Sequence, residues 1–131
     1  MQEPSELQEP PVKDEDAAHP IARGWRQTLR DIVNALGEGD YALARGVQFV
    51  APVPAATADQ IRRYIADYGE TLAELPDDTW KTSVSQWVGT HWDVLVDLWT
   101  IESGVSDMVL NTRVLEVDNA FRFEIVSVHV P

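Results

Sequence analysis

The chain contains no cysteine. That excludes a disulfide framework, a thiolate nucleophile and a cysteine-ligated zinc site, and it suits a reducing, cytoplasmic setting. Long apolar runs are also missing. No stretch approaches the ~20 apolar residues of a membrane-crossing helix, and the acidic, proline-bearing start is the opposite of a signal peptide. Basic residues are scarce: ten Lys and Arg stand against 22 Asp and Glu, for a net charge of −12. Phosphates demand Lys and Arg, so neither nucleic acid nor an anionic membrane surface is an expected partner. A basic protein remains compatible. Reaction motifs are absent too. Ser83 and Ser85 sit in no nucleophile elbow, and there is no phosphate-cradling glycine loop. His91 and Asp93 share one face of a strand but lack further ligands, so no metal and no cofactor is expected.

What is present is enough for one domain of 131 residues, long enough to bury about two thirds of its unfolded surface. Five tryptophans make that core heavy. The first twenty residues hold six acids against Lys13, together with four prolines and few apolar groups. Such a segment buries too little to offset chain entropy, so residues 1–19 are expected to be a disordered or loosely attached acidic tail. Residues 20–131 form the expected domain.

Pro20 suits the first turn of a helix. Ile21, Trp25, Leu29, Ile32, Val33 and Leu36 follow at helical spacing, and Gly37 and Gly39 stop it. Asp40 is placed to cap a short second helix bearing Tyr41 and Leu43, ended by Gly46. Thr57-Ala58-Asp59-Gln60 reads as a capping box opening a helix with Ile61, Tyr64, Ile65 and Tyr68 on one face, closed by Gly69. Thr71–Leu75 is a candidate edge strand. Four strands come next, near 81–88, 91–102, 107–117 and 120–130, joined by hairpin-length links. The strand at His91-Trp92-Asp93-Val94-Leu95-Val96-Asp97-Leu98-Trp99 alternates most clearly, with every even position apolar.

Helix, short helix, helix, then an antiparallel meander resembles the NTF2-like, cystatin-like α+β roll. Ala35-Leu36-Gly37-Glu38-Gly39-Asp40-Tyr41 is similar to the "ALxxGDY" link between the first two helices of many such proteins. Tyr64–Leu72 with Trp92–Trp99 also looks like an uncharacterised bacterial domain family, which brings no activity with it. The expected fold is therefore α+β: two or three N-terminal helices on a four- to six-stranded antiparallel sheet, as an NTF2-like roll.

The resemblance implies a cone between helices and sheet, where ketosteroid isomerases and scytalone dehydratases place acids or a His–Asp pair. With Trp92, Val94, Val96 and Leu98 inward, alternation also predicts Val84, Gln86, Val88, Met108, Leu110, Thr112, Val114, Phe121, Phe123 and Ile125 inward. This face has no central carboxylate. Thr100, Ser127 and His129 are its other polar members, so His129 is the one weak catalytic candidate. Pocket candidates are Tyr41, Tyr64, Tyr68, Gln86 and His129.

The opposite face is predicted to carry Ser83, Ser85, Trp87, Asp93, Leu95, Asp97, Trp99, Ile101, Val109, Asn111, Arg113, Leu115, Arg122 and Glu124. Cross-strand pairing accounts for its charges. Its large apolar groups point to a contact surface centred on Trp87, Leu95, Asp97, Trp99 and Arg113, and NTF2-like domains often dimerise there. The expected function is a non-catalytic interaction module. Its partner is a protein or a second copy, and one version is an immunity-type neutraliser of a basic toxin. The alternative is an NTF2-like small-molecule binder or an isomerase- or dehydratase-like enzyme.

Overall fold

The computed structural model describes residues 11–131. The chain forms an α+β fold with two α-helices and one five-stranded antiparallel sheet. Strand β1 (His19–Pro20) leads, through a 3-10 turn at Arg23–Trp25, into α1 (Arg26–Gly37). Helix α2 (Ala55–Tyr68) comes next, then a second 3-10 turn at Asp77–Lys81. Strands β2 (Val84–Trp87), β3 (Trp92–Thr100), β4 (Gly104–Val117) and β5 (Ala120–His129) complete the sheet, whose spatial order matches chain order. No helix among the described residues is long and apolar enough to cross a membrane.

The core lies between the helices and one sheet face. Leu29, Ile32, Val33 and Leu36 of α1, with Ile61 of α2, are fully buried. They meet Trp92, Val94, Val96 and Leu98 of β3, none more than 1% exposed. Leu110, Thr112 and Val114 stand opposite Val96, Val94 and Trp92 on β4. One end of this core is aromatic. The Trp25 ring lies edge-on to Trp92, Phe121 and Phe123, with centroids 5.2, 5.4 and 6.1 Å away. Edge-to-face geometry sets the positive ring edge against the negative ring face.

Several elements differ from the sequence reading. Pro20 does not start a helix; it pairs with Val84, and α1 begins six residues later. The short helix at Asp40 does not form. The Asp40 carboxylate does accept from the backbone N–H groups of Ala44 and Arg45, at 2.8 and 3.2 Å, as a cap does. Leu43, however, has φ 54° and Gly46 has φ 81°, so the chain turns instead of winding on. The capping box is not used either. α2 starts at Ala55 with Pro54 as its N-cap residue and no side-chain cap, so Thr57 already lies inside the first turn and does not cap it. Gly69, in the left-handed region at φ 82°, does end it.

Residues 11–19 are not a detached tail. The Trp92 indole donates from Nε1 to the Val12 carbonyl at 2.9 Å, and Gln86 Nε2 donates to the carbonyls of Asp14 and Glu15 at 3.0 and 3.1 Å. Apolar content is the wrong measure for this segment, since it is held by backbone carbonyls and one lysine. The expectation of disorder for residues 1–10 lies outside the described residues.

Both sheet edges are occupied. β2 pairs with β3 only from Trp92 to Leu95. Beyond that, Ser83 Oγ accepts from the Asp97 N–H at 2.9 Å and Thr79 Oγ1 donates to the Asp97 carbonyl at 2.6 Å. Further along, Ala73 N donates to the Trp99 carbonyl at 2.8 Å and Ile101 N to that of Thr71 at 2.9 Å. Thr71–Leu75 thus supplies a single bridge, Leu72 to Thr100, in place of a strand. On β5, Phe123 exchanges backbone bonds with Phe49 and Ala51 at 2.9 and 2.8 Å. Gln60 Nε2 donates to the Val128 carbonyl at 2.8 Å, and the Tyr64 hydroxyl accepts from the Val130 N–H at 2.9 Å. Unpaired edges invite intermolecular strand addition, and here side chains and loops close them.

Candidate functional site

The helices cover one face of the sheet and leave the other open, so the outer face of β3–β5 is the place to look for a contact surface. Register decides its membership. Asp93, Leu95 and Asp97 oppose Arg113, Asn111 and Val109, and Asn111 and Arg113 oppose Ser127 and Glu124. Trp99 continues the alternation at one end and faces Val105.

Two register features correct the sequence reading. Trp87 pairs with Trp92 and Ser85 with Val94. Paired residues share a face, so Trp87, Ser83 and Ser85 point toward the helices, and Val84 and Gln86 point away. Trp87 is therefore not on the outer surface, and its ring stacks at a tilt on Trp92 with centroids 4.6 Å apart. Gln86 lines no inner pocket. The second correction concerns β5. A bulge falls where Asn111 faces Ser127 while Thr112 faces Ile125, which leaves Val126 unmatched. The extra residue reverses the facing of the strand beyond it. Val128 turns inward and is fully buried, while Ser127 and His129 turn outward.

His129 therefore sits outside, opposite Val109, with its Nδ1 3.0 Å from Ser127 Oγ. It faces neither the helices nor the tyrosines that the sequence groups with it. Tyr64 and Tyr68 instead spend their hydroxyls on strand ends, at Val130 N and at Asp107 N, 3.3 Å away. Tyr41 is half-buried against the core from the loop after α1. These five residues form no common site. His91 Nε2 lies 3.2 Å from Asp93 Oδ1, with His91 Nδ1 2.8 Å from the Thr90 hydroxyl, and no group of three metal-ligating side chains occurs among the described residues.

Leu95, Asp97, Trp99 and Arg113 do share the outer face. Leu95 is 37% exposed, and Trp99 and Arg113 are half-buried. Arg113 Nη1 lies 3.8 Å from Glu124 Oε1, and Asp97 accepts from the Thr82 hydroxyl. Three polar atoms here are shielded from solvent without any hydrogen bond: Trp99 Nε1, Asn111 Oδ1 and Arg113 Nε. Sequence reasoning had no means of finding these atoms, because shielding depends on how neighbouring side chains lie across the face.

Shallow grooves lie elsewhere, beside α1. One of about 320 Å³ is lined by Val33, Asn34, Glu38 and Glu74. Asn34 also lines a second, with Arg30 and Asp77. Their carboxylates and cations are exposed and largely paired, as Arg30 is with Asp77.

Comparison with curated proteins and with solved structures gives no match. A family profile described as "Domain of unknown function (DUF7668)" matches residues 33–131, a span that runs from within α1 through α2 and strands β2–β5. The chain belongs to the DUF7668 family.

Proposed function

We propose that this chain is a non-catalytic protein-binding module that self-associates through the outer face of β3–β5. One observation carries the reading: Leu95, Trp99 and Leu115 accompany Arg113 on the broad sheet face that the helices leave open. Tryptophan and arginine dominate the centres of protein interfaces. A second copy is the favoured occupant because the face carries both signs. Asp93, Asp97 and Glu124 lie among Arg113 and Arg122, so twofold pairing can set unlike charges together although the whole chain is at −12.

Binding is favoured over turnover by the packing of the inner face. Trp92, Phe123, Leu98 and Met108 fill the space where the NTF2-like resemblance implies a cone, and His129 stands across the sheet from it. The order of helices then meander supports an NTF2-like relationship as part of the same proposal. The immunity-type version, a neutraliser of a basic toxin, rests on the acidic net charge, which steers basic partners.

Light scattering after size exclusion of the full chain tests the reading. The expected result is a dimer at micromolar concentration that Trp99→Glu converts to a folded monomer. A wild-type monomer at every concentration overturns self-association.

A further inference from the structure

We propose that the cleft formed by Trp87, Trp92 and Glu116 is a receptor for a lysine-bearing segment of a basic protein partner, and that residues 11–15 occupy it in cis. The cleft lies at the helix-side end of the sheet and is independent of the outer-face interface.

The Lys13 ammonium lies 5.0 Å from the Trp87 ring centroid and 5.8 Å from that of Trp92. It also meets Glu116 Oε1 at 3.0 Å. Two aromatic faces and a carboxylate are the chemistry that selects a primary ammonium. Around it, the protein grips only main chain. Trp92 Nε1 holds the carbonyl one residue before the lysine, at 2.9 Å, and Gln86 Nε2 holds the carbonyls one and two residues after it, at 3.0 and 3.1 Å. Residues 15 and 16 turn after the lysine, and carbonyl contacts accept any sequence that follows this path. The lysine is the side chain read by charge, while the Glu15 side chain lies against Gly89.

The present occupant fits poorly apart from that lysine. Lys13 is the only Lys or Arg in the first twenty residues, and Asp14, Glu15 and Asp16 come directly after it on an acidic protein. The Asp14 carboxylate turns back on its own segment, pairing with His19 at 3.0 Å and accepting the Asp16 backbone N–H at 2.9 Å. Lys13 is 51% exposed and Glu116 44% exposed in their side chains, so the contact is open to exchange. A basic segment would keep the ammonium and the carbonyl grips and lose the repulsion. Gln86, Trp87, Trp92 and Glu116 all fall inside the matched family residues, and the occupying segment falls outside them.

The test uses the full chain and two labelled peptides, PVKAAAAA and PVAAAAAA, read by fluorescence anisotropy. Lys13→Glu sets a carboxylate against Glu116 and frees the cleft. It is expected to bind PVKAAAAA roughly tenfold or more tighter than wild type, whose tethered segment competes at high effective concentration. PVAAAAAA should not bind, and Glu116→Gln added to Lys13→Glu should abolish binding of PVKAAAAA. Equal binding by wild type and Lys13→Glu, or by the two peptides, overturns the proposal. A second readout needs no destabilised variant. Lys13 and Lys81 are the only lysines, so dimethylation with carbon-13 gives a simple spectrum. The Lys13 methyl signals should be ring-current shifted in wild type and move to the random-coil position with excess PVKAAAAA but not PVAAAAAA. Signals that do not move show a permanent structural strap and overturn the proposal.

Discussion

The two faces of β3 are built from neighbouring residues yet obey different rules. Inward, Trp92, Val94, Val96 and Leu98 are apolar without exception and closed to solvent. Outward, Asp93, Leu95, Asp97 and Trp99 mix charge with large apolar surface, and all keep some exposure. The inner face is stabilised by volume and shape, since a gap there loses dispersion contacts with nothing to replace them. The outer face is arranged by pairing, and its members tolerate water. An inner position should therefore respond to truncation, and an outer one to charge.

The largest test of that contrast is Trp92→Ala. It should cost roughly 3–5 kcal/mol in denaturant unfolding, through lost burial and the cavity left among Trp25, Trp87 and Phe121. Trp99→Ala removes a half-buried ring and should cost no more than about half as much. Equal costs would erase the distinction between faces.

Next comes a flaw in the inner face. Thr112 is fully buried and its hydroxyl has no hydrogen bond. Thr112→Val keeps the shape and removes the orphaned group, so it should stabilise the fold by about 1 kcal/mol. A destabilised variant would show that a bound water or a transient partner serves that hydroxyl.

A smaller effect is expected from the outer pair Arg113 and Glu124, whose side chains are 42% and 39% exposed. A double-mutant cycle should give a coupling of about 0.2–1 kcal/mol. A coupling well above that range at dimer-forming concentrations would mean the pair is desolvated by a second copy, which sharpens the contrast.

The smallest concerns the edge between the faces. The Glu102 carboxylate accepts from the Thr71 N–H and from its hydroxyl, both at 2.8 Å. These bonds, the backbone N–H first, hold its carboxyl below the ordinary range. A depressed value in the folded state means stability gained above the ordinary carboxylate range and lost as pH falls through the folded value. Wild type should therefore exceed Glu102→Gln in denaturant midpoint at neutral pH, and the two should converge as the pH falls below the ordinary carboxylate range. A constant gap across that window would remove Glu102 from the edge clamp.

The sequence was readable where periodicity ran unbroken and opaque where one residue changed its phase. Nine residues of strict alternation made β3 legible, and the two-residue turn at Asp118-Asn119, both in the left-handed region, fixed the last hairpin. β2 has only four paired residues, and its small Ser85 turns inward while Val84 turns out. Period two gives no phase when serine and valine exchange roles over so short a span. The bulge at Val126 left no trace in composition, yet it moved Ser127 and His129 to the other side and dissolved the presumed catalytic face. The helix expected at Asp40 failed for a related reason. Its capping residue is used, but the backbone angle of Leu43 lies beyond what a residue list can report.

The chain-order meander also has a temporal consequence. Strands β3 to β5 pair each with the one before, through short connections. Such local closures cost little loop entropy and favour fast formation. The pairing of His19 and Pro20 with Ser85 and Val84 spans the length of both helices, so it must wait. During synthesis the order is reversed. The apolar stripes of α1 and α2 emerge from the ribosome first and have no sheet to cover until β5 is made. For that interval the nascent chain is a pair of greasy, unpartnered helices, the kind of surface chaperones bind. Pulse-labelled hydrogen exchange during refolding should find β3–β5 protected before α1.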